Sequence, residues 1–387
     1  MKWRLLLIFV CLITGLVYAQ DDATNLLDTC VQTYDPDQDY FPDKVEVEYS
    51  TGFSVEYFNN YKLLSVVTPW EETVQYILLQ CGTPAPQGYD DIPVIEVPVQ
   101  RVVTTSTTFL PHFVDQDVVE TIVGMDNLSF PSEAEIVDWI ETGNVVEVYA
   151  DYAPNTEVLI ELDPDVVFLQ DFAPDGAAVQ LAELGIPTAL NYDFNDTTPL
   201  GQAEWGKYFA LFFNTEAAAN EQFEAVETAY LELAALTTDL QDRPTVMVGS
   251  PWQGTWYVSG GGSYPAALLK DAGADYLWAD TEESGSLALE FETVLDVAAQ
   301  ADFWVNVNWT TLDDALAENE NYDEFAPFRN GQVYAYNAAV GPNGGILYFE
   351  TGAAYPHLVL ADLIAIFHPD LLPDHELYFY RAVPQSE

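Results

Sequence analysis

Residues able to do catalytic or metal chemistry are few, and their spacing suits neither. The chain has three Cys and four His, and no His precedes His112. His357, His368 and His375 all fall near the C-terminus, so no Cys/His group has the spacing of a zinc site. Gly249-Ser250 is followed by Pro251 and Trp252, which is not the G-x-S-x-G elbow of an activated serine. Gly260-Gly261-Gly262-Ser263 lacks the Lys that a phosphate-binding loop requires. The 63 Asp and Glu always leave some carboxylate pair, so a secreted hydrolase of the glycosidase type remains the enzyme alternative. Aromatic surface is what the chain offers in quantity: 9 Trp, 23 Tyr and 21 Phe, with Trp252, Trp256 and Tyr257 in one Gly-rich stretch.

Charge removes further classes. With 63 acidic residues against 10 Lys and Arg, the formal charge is −53. Nucleic acid is therefore excluded as a partner, because a polyanion binds by exchanging counterions for Lys and Arg. An anionic membrane surface is disfavoured for the same reason. Disorder does not fit, since 49% of the residues are hydrophobic and can build a large core.

Lys2 and Arg4 precede an apolar run over 5–17, and Val17-Tyr18-Ala19 supplies small residues for cleavage. Residues 1–19 are expected to be a signal peptide, with an uncleaved anchor as the alternative. Cys11 lacks the small residues that precede a lipidated Cys. Cys30 and Cys81 then remain as the two cysteines of an exported chain and are expected to pair. Such a bond closes a loop of about fifty residues, worth ~3–4 kcal/mol on loop entropy.

The elements that must position any site follow from periodicity. Residues 20–98 form a β-rich extension, with strands expected over 45–49, 53–57 and 76–79. From Val99 strands alternate with helices: strand 101–105, helices 107–122 and 133–142, a helix capped by Asn155, strand 165–169, helix 175–184 and strand 187–190. Residues 99–202 thus make one α/β unit. Between 203 and 240 only Gly206 interrupts a run free of Gly and Pro. The spacing predicts one long helix over 203–242, or two helices broken near Asn214-Thr215. Residues 243–387 form a second unit: strands 245–249, 302–306 and 332–336, helices 265–272 and 291–300, and a final helix 347–367 bent or interrupted at Pro356. The stretch 250–264 is expected to be a loop. The fold class is α/β.

Two stretches echo one another across the halves. Glu157-Val158-Leu159 precedes Pro164-Asp165-Val166-Val167-Phe168, and Glu292-Thr293-Val294-Leu295 precedes Ala301-Asp302-Phe303-Trp304-Val305. With Ala272-Gly273-Ala274-Asp275-Tyr276 and Gly331-Gln332-Val333-Tyr334, they make residues 99–380 resemble the ferric-siderophore and cobalamin binding proteins of ABC importers.

The resemblance implies two three-layer α/β lobes joined by a long interlobe helix, with the β-rich extension added. It also implies a monomer that binds a ligand outside the cytoplasm, in the periplasm or its equivalent, and delivers it to an ABC permease. Glu157 and Glu292 match the carboxylates that meet basic permease residues in that family. A first-turn Glu favoured by the helix dipole accounts for the same placement. The ligand is expected between the lobes, facing Thr105, Phe109, Gln170, Phe172 and Tyr192 on one side, and Trp252, Trp256, Tyr257, Trp309 and Tyr336 on the other. No cofactor or bound metal of the protein's own is implied. The ligand class is a ferric siderophore or similar metal chelate, with a corrinoid as the alternative. Arg101 and Arg243 lie at strand starts, away from the expected cleft, so a neutral or cationic chelate fits better than an anionic one.

Overall fold

A computed structural model describes residues 24–150 and 153–385, and the expected signal peptide lies outside them. Two five-stranded sheets organise the chain. The first lobe's sheet runs Thr188–Leu190, Val166–Leu169, Val102–Thr104, Ile122–Met125, Val146–Glu147, all parallel. The second lobe's runs Asp275–Tyr276, Thr245–Val248, Phe303–Val307, Val333–Ala335, Arg381–Ala382, with only the last strand antiparallel. Central strands read as unbroken apolar runs because helices cover both faces; Val166–Leu169 is buried at every position.

The repeated Asp has a structural role in each lobe. Asp165 accepts from the backbone N–H of Gln100 and Arg101 at 2.7 and 2.8 Å. Asp302 accepts from Thr245 N–H at 2.8 Å. Each carboxylate thus ties the start of its own strand to the start of the neighbouring one, satisfying donors that precede the ladder.

The 203–242 segment is two helices, Trp205–Phe213 and Glu216–Thr237. The break is at Asn214, in the left-handed region with φ 59°. Its amide donates to Leu26 O and Gln80 Oε1 at 2.8 and 3.0 Å, which holds the turn. The single-helix expectation is corrected, and the alternative break stands. Trp205–Phe213 is buried in the first lobe's core. Glu216–Thr237, about 33 Å long at 1.5 Å per residue, sends Phe223, Val226 and Tyr230 into the second lobe's core. Among the described residues no helix is long and apolar enough to cross a membrane.

The N-terminal extension adds a four-stranded sheet, Phe53–Tyr57, Tyr61–Val67, Thr73–Gln80 and Val94–Val97. Its Phe41, Phe53, Leu64 and Ile95 share one core with Val102 and Phe168 of the first lobe. Cys30 and Cys81 are joined by a disulfide. Residues 45–49 alternate yet form no strand. The N–H groups of Glu48, Tyr49 and Ser50 instead donate to the buried Glu204 carboxylate at 2.8–2.9 Å.

Two further expectations are corrected. The helix expected over 107–122 ends at Asp115; Asp117 has φ 57°, and the chain then enters the strand Ile122–Met125. The Gly-rich stretch 250–264 contains a hairpin, Pro251–Trp252 with Thr255–Ser259. Gln253 and Gly254 form its two-residue turn, both with positive φ, the backbone that such turns require. The final helix is interrupted as Pro356 implied, into Leu347–Thr351 and Pro356–Phe367.

Candidate functional site

In both lobes the carboxyl ends of the parallel strands lead into loops, where α/β sheets bind ligands. After Thr104 and Met125, the first lobe presents Thr105, Asp126, Phe130 and Ser132. The second lobe brings Gly345, Ile346, Phe349 and Glu350 against them, and together these residues line a pocket of about 380 Å³. Phe130 and Phe349 are 59% and 57% exposed, large rings left open toward this space.

One wall of the pocket is an interlobe contact. Glu350 is 2% exposed, and its carboxylate accepts from Ser132 N–H at 2.7 Å and Glu133 N–H at 2.9 Å. Asn343 donates to Pro131 O at 2.6 Å. A Cβ on Gly341 would stand 1.9 Å from Ser132 O, so only glycine permits this approach. Behind the wall, the Tyr355 hydroxyl donates to Asp115. Burial pushes Asp115 up to about 6, opposed by the Tyr355 hydrogen bond. Burial likewise pushes Asp126 up to about 6, with Glu147 adding to the effect.

The expected site residues divide. Thr105 lines the pocket. Tyr336 packs on Phe349, ring centroids 4.9 Å apart, which puts it behind a lining residue. Gln170 donates to Asp193 at 3.0 Å. Phe172, Trp252 and Tyr257 are exposed, and none of them lines this pocket. Phe109, Tyr192, Trp256 and Trp309 are buried in the cores, which corrects their assignment as ligand contacts. Trp256 stacks on Trp304 at 5.5 Å and donates to Val248 O at 3.0 Å. Trp309 donates to Glu318 at 2.9 Å. The nearby glycines do not open a path for a ligand: a Cβ on Gly260 or Gly261 would meet Glu283 O or Ala279 O at about 2.1–2.2 Å. Asp126, Phe130, Phe349 and Glu350 were not anticipated, because the first two fall between the expected helices 107–122 and 133–142 and the last two inside the expected helix 347–367.

Glu157 and Glu292 occupy equivalent places, exposed in the first turns of the helices Thr156–Leu162 and Phe291–Ala298. Leu159 and Val294 anchor those helices in the cores.

A two-lobed α/β chain with a cavity between its lobes at the strand ends is a binding architecture, and residues 102–340 match the family model described as periplasmic binding protein. The chain belongs to the periplasmic binding protein family. This binding protein is 28% identical over 302 residues to an uncharacterized lipoprotein of Methanocaldococcus jannaschii, covering 75% of the chain and 70% of the relative. A second such lipoprotein of that organism is 26% identical over 325 residues, 80% of each. Among solved structures, it is similar to molybdate-bound MolA of Haemophilus influenzae, with TM-score 0.58, 18% identity and coverage of 81% and 94%. Helicobacter pylori CeuE, in a complex with nickel and histidine, gives 0.56, 16%, and 80% and 90%. At these identities the likeness speaks for the fold. A third similar structure is an ABC transporter substrate-binding protein of Listeria monocytogenes, with TM-score 0.51, 15% identity and coverage of 70% and 99%.

Proposed function

We propose that this binding protein captures a metal chelate, of the ferric-siderophore class, outside the cytoplasm and delivers it to an ABC permease. The observation that carries this reading is the pocket of about 380 Å³ walled by both lobes at the carboxyl ends of their strands. That volume lies in the range of small-molecule sites and favours a compact chelate over a corrinoid. The wall supplies hydroxyls, two phenyl rings and two carboxylates but neither His nor Cys, which suits a complexed ion better than a bare transition metal. Glu157 and Glu292, one exposed on each lobe, are the proposed permease contacts, since exposed carboxylates pair well with Arg forks.

Isothermal titration with ferric hydroxamates, cobalamin and bare Zn²⁺ tests the reading. Saturable binding of a ferric hydroxamate without Zn²⁺ binding is expected. Saturable Zn²⁺ binding with no response to any chelate would overturn it, and binding of cobalamin alone would replace the ligand class.

A further inference from the structure

The pocket has a charge character that its family membership does not dictate. No Lys or Arg lies along its wall, whereas Asp126 and Glu350 both do. The two carboxylates are not equivalent. Glu350 is already committed to the N–H groups of Ser132 and Glu133. Asp126, half-buried on the first lobe's side of the same pocket, takes part in no ion pair among the described residues; its own N–H and that of Asn127 offset its burial only in part. The four Arg of the described chain are occupied elsewhere, each donating to backbone carbonyls. Burial raises the cost of an uncompensated carboxylate, and a cation brought to it recovers that cost.

The aromatic walls point the same way. Phe130 comes from the first lobe and Phe349 from the second, and both remain more than half exposed. Phe349 is held from behind by Tyr336 and Tyr348, with centroids 4.9 and 5.4 Å away at 73° and 90°. Phenyl faces carry negative potential and attract cations, most strongly where water is displaced. A chain of charge −53 also concentrates cations around its clefts.

We propose that the cleft selects ligands bearing a positive charge, with Asp126 as the counter-charge and Phe130 and Phe349 as the flanking walls. This rests on the cleft being the ligand site. A cationic ligand is then held between the lobes by groups from both, so its charge draws the lobes onto it. A neutral chelate of the same size gains only apolar contact, and an anionic one meets repulsion from Asp126.

Two ferric trihydroxamates make the test: ferrioxamine B, which carries a pendant ammonium, and the uncharged cyclic ferrioxamine E. Choline serves as a third probe, a cation without metal. Titrations at fixed ionic strength should show ferrioxamine B binding about tenfold or more tighter than ferrioxamine E, the scale of one charged hydrogen bond. Asp126→Asn should remove most of that preference, while Asp126→Glu, which keeps the charge, should retain it. Equal binding of both chelates by the wild-type protein, or equal weakening of both by Asp126→Asn, overturns the charge assignment and leaves the chelate reading standing. Saturable choline binding, sensitive to Asp126→Asn, with neither chelate bound supports the cation assignment and refutes the chelate reading. Failure of all three probes overturns both. Should Asp126→Asn fail to fold, the wild-type comparison of the two chelates still decides the matter.

Discussion

Replacing Lys62 by Met should destabilise the protein by about 3–5 kcal/mol, the cost of stranding one partner of a buried ion pair. Lys62 and Glu216 are both fully buried, with Nζ 2.5 Å from Oε1. The ammonium also donates to Leu211 O at 2.7 Å and Asn214 Oδ1 at 2.9 Å, and it lies 4.5 Å from the centroid of the Phe41 ring. Leu211 is in the last turn of Trp205–Phe213, whose carbonyls lack helical partners. Glu216 opens the next helix, where the dipole favours a carboxylate. One strand residue of the extension therefore closes both ends of the helix break. Burial pulls the Lys62 pKa down and Glu216 opposes it, so the charge depends on its partner. Met keeps the aliphatic stem but leaves the Glu216 carboxylate, among the described residues, with the side chains of Asn25 at 2.8 Å and Tyr57 at 3.4 Å. Adding Glu216→Gln removes that stranded charge, and the double variant should regain ~2 kcal/mol over Lys62→Met. Urea unfolding of the four proteins gives the cycle. A Lys62→Met variant within about 1 kcal/mol of wild type, or a double variant less stable than the single, would refute the reasoning.

Changing Glu157 and Glu292 together to Gln should leave ligand affinity nearly unchanged, because both are exposed and neither lines the pocket, so their charges are screened, while transport in a reconstituted system falls sharply; normal transport with weakened binding would remove the docking role. His112 gives a pH signature. It is 6% exposed, and burial pushes it down to about 4. Above its unfolded value of about 6.5 both states are neutral there, and its contribution is fully present. As pH falls toward 4 the unfolded chain binds a proton that the folded one refuses, and ~3 kcal/mol is lost. His112→Asn should show a shallower loss of stability over that window, and stability curves parallel to wild type would contradict the assignment.

Much of the fold was legible because it is encoded locally. Short apolar runs bounded by Pro, Gly and Asp predicted the strands Val166–Leu169, Thr245–Val248 and Phe303–Val307. Asn155 does cap the helix Thr156–Leu162, accepting from Val158 N–H at 3.3 Å. Pro356 does begin a new helix. Local signals failed where side chains replaced backbone partners. Residues 45–49 carry a strand's alternation, but the N–H groups of Glu48 and Tyr49 go to Glu204, more than 150 residues away, and that of Val45 goes to the Tyr57 hydroxyl. The strand Tyr61–Val67 went unseen, since a Lys inside an apolar run argues against burial until Glu216 is found to meet it.

Sequence alone determined the class of molecule: an acidic, aromatic, two-lobed α/β chain with paired Glu and Asp signatures and one disulfide. Apart from the disulfide, which follows from there being two cysteines in an exported chain, these properties depend on composition and on neighbours within a few residues. Only the tertiary structure decided which groups face the cleft. In Thr255–Ser259 successive side chains point to opposite faces, so Trp256 is fully buried while Tyr257 is 45% exposed. Adjacent aromatic letters are indistinguishable until the sheet has a covered side. Asp126 and Phe130 meet Phe349 and Glu350 across more than 200 residues of chain. No periodicity reports such a meeting, because it depends on how two separate hydrophobic cores are set against each other.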